Sequence, residues 1–394
     1  MNKREIKEFL RKNFPNIRFL RSMITKKRIR KYREPLLSEA DVIRGESDFR
    51  EKERLLAECL EKYPEYAMYS QRMLESLFRR APEYKDRTDQ AQLRTDVLFC
   101  QYAYGFVAEE YLCFGLEHKT MEQRRAFVSD IDRLCYAYRM NDPFEVPVFN
   151  NKTRTYEQFA KYFKRDAIAI QKPEDLSKFL SYAEKHPVFV KKAAYESMGR
   201  SVELVDIRDC GKKPEELFRE LIGKGLHLLE EKVEQSPALA ALHPGSVNTI
   251  RCITVQTKSG IQVPYCFMKV GRDGSFVDNG GAGGILVGID TATGRLNTTG
   301  IDELNVRYET HPNTGIAFCG YQLPEWDSMI AFCMELSATM KKVKYIGWDM
   351  AHTDHGWVVI EGNGMSQMIA PQMVFQRGIK AEIEALIADM ELMC

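Results

Sequence analysis

The chain has 394 residues, of which 44% are hydrophobic and 29% charged, and this composition excludes disordered, collagen-like and disulfide-scaffold proteins. At about 100–200 residues per domain, the length predicts two or three domains. The 57 basic and 56 acidic residues give a formal net charge of +1, so the overall charge does not indicate a nucleic-acid partner.

Residues 1–35 are strongly basic. They contain 13 Lys or Arg against three Glu, a net charge of +10, so the remaining residues carry a net charge of −9. A basic segment on an acidic body is typical of contact with an anionic membrane surface or another polyanion. The alternative interpretation is a solvated helical extension. Peripheral contact with an anionic membrane through residues 1–35 is therefore one of two expectations for this segment.

The ten cysteines are scattered without a C-x-x-C pair, which argues against zinc-ribbon and thioredoxin-like sites. Most lie in apolar runs, where cysteine is usually a small buried hydrophobic residue. Free thiols in this number are typical of a reducing cytoplasm. No stretch reaches the roughly 18 apolar residues of a membrane span, and the N-terminus lacks the apolar segment of a signal peptide. We therefore expect a cytoplasmic protein, with peripheral attachment at the inner face of the membrane if the basic segment binds there.

From residue 1 to about residue 140 the pattern is helical. Apolar residues recur at helical spacing in the stretches 6–14 and 55–60, and the long apolar stretch 93–112 contains no Pro. Its Tyr and Phe side chains are more easily explained as core than as a cofactor-binding surface. Nothing here alternates like a strand, so we predict a helical N-terminal region over residues 1–140.

Short β-like runs begin after Asn141-Asp-Pro and are separated by Gly, Pro and Asn signals. The predicted strands cover 167–170, 186–192, 201–207, 227–233, 248–256, 263–270, 284–290 and 357–363. Helical stretches are expected around 155–165, 174–186, 213–223, 325–342 and 377–392. This interleaving indicates an α/β or α+β region of one large or two small domains.

The segment GWDMAHTDHGWVVIEGN, residues 347–363, is the strongest chemical signal. Asp349 is expected to end one β-like run and Glu361 the next, with Asn363 on the same strand face as Glu361. Carboxylate and amide oxygens from adjacent antiparallel strands form the kind of site that magnesium prefers, with substrate phosphate completing its shell. The alternative is an ordinary hairpin with exposed acids.

Two well-separated lysines form the second signal. Lys152 is predicted to open a helix, and Lys191 ends the apolar run PVFVK before a loop that contains a single glycine, Gly199. A lysine at the end of a buried strand beside a loop can meet phosphate groups as a point charge. Lone lysines are more often simply solvated.

Two further stretches carry polar groups at strand ends. HLLEEKVEQ, residues 227–235, is interpreted as an edge strand whose backbone can meet a purine edge. Asn248 and Arg251 flank the start of the next strand, Lys269 lies near the end of the one after it, and Arg272 follows that strand. Arginines there can hold carboxylate or phosphate with two parallel bonds. The GGAGG run matches neither a P-loop nor a dinucleotide-binding fingerprint, and G-x-S-x-G and H-E-x-x-H are absent from the sequence.

In this order, the signals resemble the ATP-grasp fold. More narrowly, SVNTIR, KVGRDGSFVDNGGAGG and YIGWDMA followed by VVIEGN look like the sugar-transfer-associated ATP-grasp family of bacterial surface-polysaccharide gene clusters. The resemblance covers residues 140–385 and implies an α+β architecture in which two α/β lobes clasp ATP. We accordingly expect a small lobe at 141–232 and a C-terminal lobe at 233–394, after the helical region.

The resemblance also implies roles for individual residues, matched by motif. The nucleotide-binding residues it implies are Lys152 and Lys191 at the phosphates, Glu230, Glu231 and Val233 at an adenine hinge that acts mainly through its backbone, together with Gly199 and Asn248. It implies Asp349, Glu361 and Asn363 as magnesium ligands. Arg251, Arg272 and Lys269 are the implied catalytic residues near the γ-phosphate or the acceptor. Family members usually have a glycine-rich loop after the second lysine, whereas this chain has AAYESMGRS.

The activity implied is that of an ATP- and Mg2+-dependent ligase. It would activate a small or sugar-linked carboxylate as an acyl-phosphate and join it to an amine, in surface-polysaccharide or related biosynthesis. Two alternatives remain open: a kinase that phosphorylates a hydroxyl acceptor, and a non-catalytic nucleotide-binding assembly factor.

Overall fold

The computed structural model of the protein describes residues 36–195, 202–276, 278 and 283–390. Backbone contacts divide the chain into two compact units. The first unit ends at Tyr138 and also includes Gly378–Lys380. The second unit comprises Arg139–Arg377 and the residues from Ala381 onward. The basic segment 1–35 and Gly199 lie outside the described residues, and the predicted division between two lobes at 232/233 stays a prediction.

The first unit is helical throughout its described part, as the sequence pattern predicts. Its helices are α1 (Glu39–Ser47), α2 (Phe49–Lys62), α3 (Tyr66–Arg80), α4 (Gln90–Tyr104), α5 (Ala108–Cys113), α6 (Met121–Ala126) and α7 (Asp130–Met140), of which α7 runs past the boundary. Ser38 caps α1 in a capping box with Asp41, which satisfies backbone donors at the helix start. The predicted apolar stretch 93–112 supplies Phe99 and Tyr102 to the buried core of this unit.

A charge-balanced network is buried in the first unit. Arg124, with 3% of its surface exposed, donates to both carboxylate oxygens of Asp96 at 2.9 and 2.7 Å. Nζ of Lys52 pairs with Asp96 at 2.7 Å and with Glu46 at 3.0 Å, and so links the two carboxylates. Two cations and two anions therefore neutralise one another, which is the condition under which buried charges are tolerated.

The second unit begins with α8 (Lys152–Phe163) and a four-stranded antiparallel sheet. Its strands are β1 (Ala167–Ile170), β2 (Val188–Ala193), β3 (Val202–Asp206) and β4 (His227–Glu231), in the order β1-β4-β2-β3. Helices α9 (Leu176–Lys185) and α10 (Pro214–Gly223) cover one face, where Phe179, Phe189 and Phe218 share a buried core. The expectation that the 227–233 run is an edge strand is wrong, because β4 pairs with β1 on one side and β2 on the other.

A seven-stranded antiparallel sheet forms the larger part of the second unit. Its strands are β5 (Thr249–Thr257), β6 (Gly260–Val270), β7 (Ile285–Ile289), β8 (Gly300–Ile301), β9 (Arg307–Tyr308), β10 (Tyr345–Thr353) and β11 (Gly356–Asn363), in the order β11-β10-β5-β6-β7-β8-β9. The accompanying helices are α11 (Pro237–Ala240), α12 (Trp326–Ala338), α13 (Ile369–Phe375) and α14 (Lys380–Ala388). Among the helices of the described residues, none has the length and apolar character needed to cross a bilayer.

Alternation along the central strands separates an apolar face from a polar one. Ile250, Met268 and Trp348 are fully buried in the core that also contains Cys333 of α12. Successive side chains of a strand point to opposite faces, so the residues between them face the other side. Arg251 lies between Ile250 and Cys252 in β5, and this polar face carries the candidate site.

A bulge in β11 sets which face its last residues occupy. Met350 pairs with Val359, whereas the preceding residue, Asp349, pairs with Glu361, so Ile360 is an extra residue in β11. In a regular strand, two residues separated by one other residue share a face, so Val359 and Glu361 would lie on one face if β11 kept all its residues but had no bulge. The bulge keeps Val359 in the core and brings Glu361 beside Asp349 on the polar face.

Candidate active site

Four adjacent strands bring four charged side chains together on the polar face of the large sheet. Arg251 on β5 lies opposite Asp349 on β10, which lies opposite Glu361 on β11. Arg251 donates from Nε and Nη2 to the two oxygens of Asp349, the second bond being 2.8 Å long. Lys269 on β6 adds a bond to Asp349 from Nζ at 2.9 Å. The carboxylate of Asp349 is therefore the centre of the cluster.

The electrostatics of the cluster follow from burial and opposite charge. Burial alone would raise the pKa of the Asp349 carboxyl, but the charges of Arg251 and Lys269 hold that pKa well below its ordinary value. Burial opposes the charged form of Lys269, yet Asp278 and Asp349 raise its pKa. Burial also dominates at Asp278, whose pKa is raised although Lys269 lies 4.0 Å away. At neutral pH Asp349, Arg251 and Lys269 are therefore all charged.

Space for Arg251 depends on a glycine. Gly347 lies two residues before Asp349 on β10, and a Cβ there would overlap Ser366 Oγ and lie 2.9 Å from Cδ of Arg251. Arg251 also donates from Nη1 to Ser366 at 3.2 Å. The guanidinium is thus fixed by Asp349 on one side and Ser366 on the other.

The predicted magnesium ligands lie together, although not at two strand ends. Asp349 is in the middle of β10, since the strand continues to Thr353, so the expectation that it ends a run is wrong. Asn363 donates from Nδ2 to Oε1 of Glu361 at 3.1 Å, which places both on one face.

The donor set fits a hard divalent cation. Glu361 and Asn363 are only partly buried and supply carboxylate and amide oxygens, the ligands that magnesium prefers. Asp349 already accepts three N–H bonds from Arg251 and Lys269, out of about four acceptor positions on a carboxylate, so it has little remaining capacity. Glu361 and Asn363 are therefore the more accessible of the three predicted ligands.

A buried ion-pair network joins the two sheets of the second unit, and the sequence pattern did not indicate it. Arg165, which precedes β1, donates from Nε to Glu230 at 2.8 Å and from Nη1 to the carbonyl of Val359 on β11 at 2.6 Å. Lys192 on β2 pairs with the other oxygen of Glu230 at 2.8 Å. Burial alone would raise the pKa of Glu230, but Arg165 and Lys192 lower it.

The two β2 lysines lie on opposite faces. Lys191 is two residues after Phe189 and so lies on the same face of the sheet, which α9 and α10 cover. Its Nζ pairs with Glu203 at 2.9 Å. Lys192 follows Val190 and lies on the face of Glu230, toward β11. The sequence motif indicated Lys191 alone; counting strand positions from Phe189 is the signal that separates the two lysines.

Lys152 has the position expected from the sequence, as first residue of α8. Asn151 caps this helix by accepting from the backbone N–H groups of Thr153 and Arg154. The backbone N–H and the Nζ of Lys152 reach the carbonyls of Ala194 and Ala193 at 2.9 and 3.3 Å. Lys152 therefore lies at the end of β2, beside Ala193 and Ala194.

The predicted adenine hinge is only partly available. Glu230 has its backbone in the ladder between β1 and β2 and its side chain in the ion-pair network, and its predicted contact with adenine stays a prediction. The N–H of Glu231 donates to the carbonyl of Asp166 at 2.9 Å. Val233 lies after the end of β4, where the chain leaves the sheet.

Asn248 has a structural position in this protein, and its predicted contact with nucleotide stays a prediction. It is fully buried and donates from Nδ2 to the carbonyls of Leu239 and His243 at 2.9 and 2.8 Å. Its Oδ1 accepts from the N–H of Gly271 at 3.2 Å and from Ser246 at 3.0 Å. Because its hydrogen-bonding groups are used internally, Asn248 fixes the start of the loop after β6.

Arg272, on that loop, has partners separate from the Asp349 cluster. It donates to Asp302 at 3.0 Å and to the hydroxyl of Tyr308, which itself donates to Asp302 at 2.9 Å. Burial opposes the charged form of Arg272, but Tyr308 and Asp302 raise its pKa. Among the described residues, Arg251 and Lys269 therefore share Asp349 as their partner, whereas Arg272 is held by Asp302 and Tyr308.

Two antiparallel sheets, one with lysines and the other with a carboxylate–arginine cluster, agree with the architecture expected of an ATP-grasp protein. Residues 133–387 match the model of the family described as sugar-transfer associated ATP-grasp, and the chain belongs to that family. This confirms both the family resemblance and the fold class predicted from the sequence.

Several solved structures are similar to this chain, and no curated protein matches it. D-alanyl-alanine synthetase A from Vibrio cholerae is 12% identical with a TM-score of 0.41, over 64% of this chain and 67% of that one. D-alanine–D-alanine ligase from Bacillus anthracis complexed with ATP is 14% identical with a TM-score of 0.38, over 64% and 68%. Phosphoribosylamine–glycine ligase from Thermotoga maritima is 13% identical with a TM-score of 0.41, over 65% and 58%.

Proposed function

We propose that this protein is an ATP- and Mg2+-dependent ligase that activates a small or sugar-linked carboxylate and joins it to an amine, in surface-polysaccharide or related biosynthesis. The observation that carries the proposal is the convergence of Arg251, Lys269, Asp349 and Glu361 from four neighbouring strands. Membership of a sugar-transfer associated family supports the choice of a sugar-linked acceptor.

The proposed nucleotide site uses lysines from the small sheet. Lys152, at the end of β2, is a candidate for the phosphates, together with a lysine of β2 itself. The geometry favours Lys192 over Lys191, because Lys192 shares a face with Glu230 and that face is tied to β11 through Arg165. Backbone groups after β4, at Val233, are the candidates for contact with adenine.

Glu361 and Asn363, with Asp349, are the candidates to hold magnesium, which would neutralise the charge of the phosphoryl group in transit. In the proposed reaction the γ-phosphoryl group moves to the acceptor carboxylate, ADP leaves, and an amine displaces phosphate from the acyl-phosphate. Arg251 is held rigidly by Asp349, so it can orient an anionic acceptor without moving. Water must be excluded, because a free acyl-phosphate hydrolyses.

The test is release of ADP and inorganic phosphate by purified protein given ATP, Mg2+ and pools of candidate acids and amines. Release of both products only when acid and amine are present together supports the ligase. ADP with a stable phosphorylated product and no free phosphate would instead identify a kinase. ATP binding without turnover in any pool would point to an assembly factor.

A matched pair of variants connects that activity to the site. Glu361→Gln removes the charge of a predicted metal ligand, and we expect it to abolish turnover while the protein stays folded. Glu174→Gln changes an exposed glutamate that is distant from Glu361 in sequence, and it serves as the control for the loss of one charge. Wild-type turnover in Glu361→Gln would remove Glu361 from the site.

A further inference from the structure

A second cluster of potential ligand atoms lies on the small sheet, outside the site described above. The carboxylates of Asp166 and Glu231 and the imidazole of His186 each place one ligand atom within 4.8 Å of the others. Nε2 of His186 is 3.0 Å from Oδ2 of Asp166. One nitrogen and two carboxylate oxygens are thus close enough to share one cation.

Regular structure holds all three groups. Asp166 directly precedes β1 and Glu231 ends β4, and their backbones are joined by the bond from Glu231 N–H to the Asp166 carbonyl at 2.9 Å. The N–H of Asp166 in turn donates to Oε2 of Glu231 at 3.1 Å. His186 follows α9 and caps it by donating its N–H to the carbonyl of Tyr182 at 2.8 Å. Two strand ends and a helix end fix the cluster.

A buried hydroxyl beside the cluster is left without a partner. Tyr182 is 7% exposed, and its Oη finds no hydrogen-bond partner among the residues that the structure describes. The ring of Tyr182 lies 4.9 Å from the ring of His186, centroid to centroid. Burial raises the pKa of Tyr182 first, and the charges of Glu230, Glu231 and Asp166 raise it further. Buried polar groups in proteins are normally satisfied, so this one indicates an additional occupant.

The cluster already attracts positive charge. Lys185, adjacent to His186, pairs through Nζ with Asp166, and the charges of Asp166 and Glu231 raise its pKa. The Lys185 side chain is 67% exposed, so it can swing into solvent at little cost. A divalent ion, held by three ligands, can therefore replace this ammonium.

We infer that Asp166, His186 and Glu231 form a binding site for a divalent transition-metal cation of the zinc class. Imidazole together with carboxylate is the ligand set of such ions, whereas magnesium prefers oxygen ligands alone. Three protein ligands leave a coordination position open for water or another ligand. The inference does not depend on the proposed ligase activity, because it concerns side chains on the small sheet and a metal that can be measured alone.

The test is titration of the full-length protein with Zn2+ and, separately, with Co2+, in excess Mg2+ so that any magnesium site is filled. We expect uptake of one equivalent and a Co2+ spectrum of nitrogen and oxygen ligands. A spectrum dominated by thiolate-to-cobalt charge transfer would place the metal on cysteines and overturn the inference.

Four variants localise the metal. His186→Ala should abolish the one-equivalent uptake, whereas His355→Ala, at an exposed histidine of the β10–β11 turn, should leave it unchanged. Tyr182→Phe should weaken binding about tenfold, as loss of an outer-shell partner does. Lys185→Met should tighten binding, because it removes the competing ammonium.

The Lys185→Met variant keeps the inference open to refutation even if His186→Ala folds poorly. A site elsewhere in the protein has no reason to gain affinity when Lys185 is removed. Unchanged or weaker Zn2+ binding in Lys185→Met, or one-equivalent uptake that survives in a folded His186→Ala, would overturn the assignment.

Discussion

Replacement of Asp349 by Asn should destabilise the second unit strongly. Asp349 is 2% exposed and is the carboxylate that neutralises both Arg251 and Lys269. Asn has the same shape but no charge, and its amide N–H group would face a guanidinium that also donates. Two buried cations would then share only Asp278, which lies 4.0 Å from Lys269, and the partly exposed Glu361.

The size of the effect follows from the burial of the cluster. Removing one partner of a buried ion pair costs about 3–5 kcal/mol, because the remaining charge stays buried without compensation. At about 2–4 °C per kcal/mol for a unit of this size, the unfolding midpoint should fall by about 6–20 °C. Glu361→Gln should cost under about 1 kcal/mol, since exposed charges contribute little.

Tryptophan fluorescence measures this unit selectively. The chain has three tryptophans, Trp326, Trp348 and Trp357, and all of them lie in the core of the second unit. Thermal unfolding followed by their emission, with Glu361→Gln as the charge-loss control, gives both midpoints. Equal midpoints for the Asp349→Asn and Glu361→Gln variants would refute the reasoning, because they would show that the Asp349 carboxylate does not stabilise its two cations.

Three further predictions concern the same unit. The pKa of Asp349 in the folded protein lies below its unfolded value of 3.8, so the stability that its carboxylate contributes is complete above that pH and is lost as the pH falls. The difference in unfolding free energy between wild type and Asp349→Asn should therefore shrink below about pH 4 in acid titrations. A constant difference would contradict this prediction. Lys192→Met should weaken ATP binding, measured by calorimetry, about tenfold or more through loss of a charged hydrogen bond, and should weaken it more than Lys191→Met does. The opposite order would favour Lys191 as the phosphate-binding lysine. Gly347→Ala should cost about 1–3 kcal/mol by overpacking against Arg251, and an unchanged unfolding midpoint would contradict it.

Sequence patterns predict much of this architecture because the relevant signals are local. Helical periodicity identifies the N-terminal helices, and alternating apolar runs identify the long strands, including β5, β6 and β11. Asp349, Glu361 and Asn363 could be grouped from the sequence because they lie on one hairpin, where a short separation makes contact nearly certain. The helix start at Lys152 follows likewise from Asn151, a residue that caps helices.

Features that depend on pairing between distant segments were missed. The strands β8 and β9 have two residues each, too short for any alternation to be recognised. Arg165 looks like one more charged residue before a strand, and only the tertiary structure shows that it joins Glu230 to Val359. The structural contacts of Asn248 could not be predicted either, because its burial depends on segments 235–246 and 271, which no local pattern connects.

The extra residue Ile360 separates Val359 in the core from Glu361 on the polar face. Deleting Ile360 makes Val359 and Glu361 consecutive, and consecutive residues of a regular strand also point to opposite faces. The pairs Met350–Val359 and Asp349–Glu361 can therefore persist without the bulge. Deletion of Ile360 should accordingly keep Mg2+-dependent turnover and lower the tryptophan-monitored unfolding midpoint only modestly.

The matched control is Ile360→Ala, which keeps the residue count of β11 and so keeps the bulge. Ile360 is only partly buried, so its truncation should cost little and leave turnover near wild type. Loss of turnover in the deletion but not in the substitution would contradict the reasoning. It would show that the extra residue itself, and not simple alternation along β11, is needed to keep Glu361 beside Asp349.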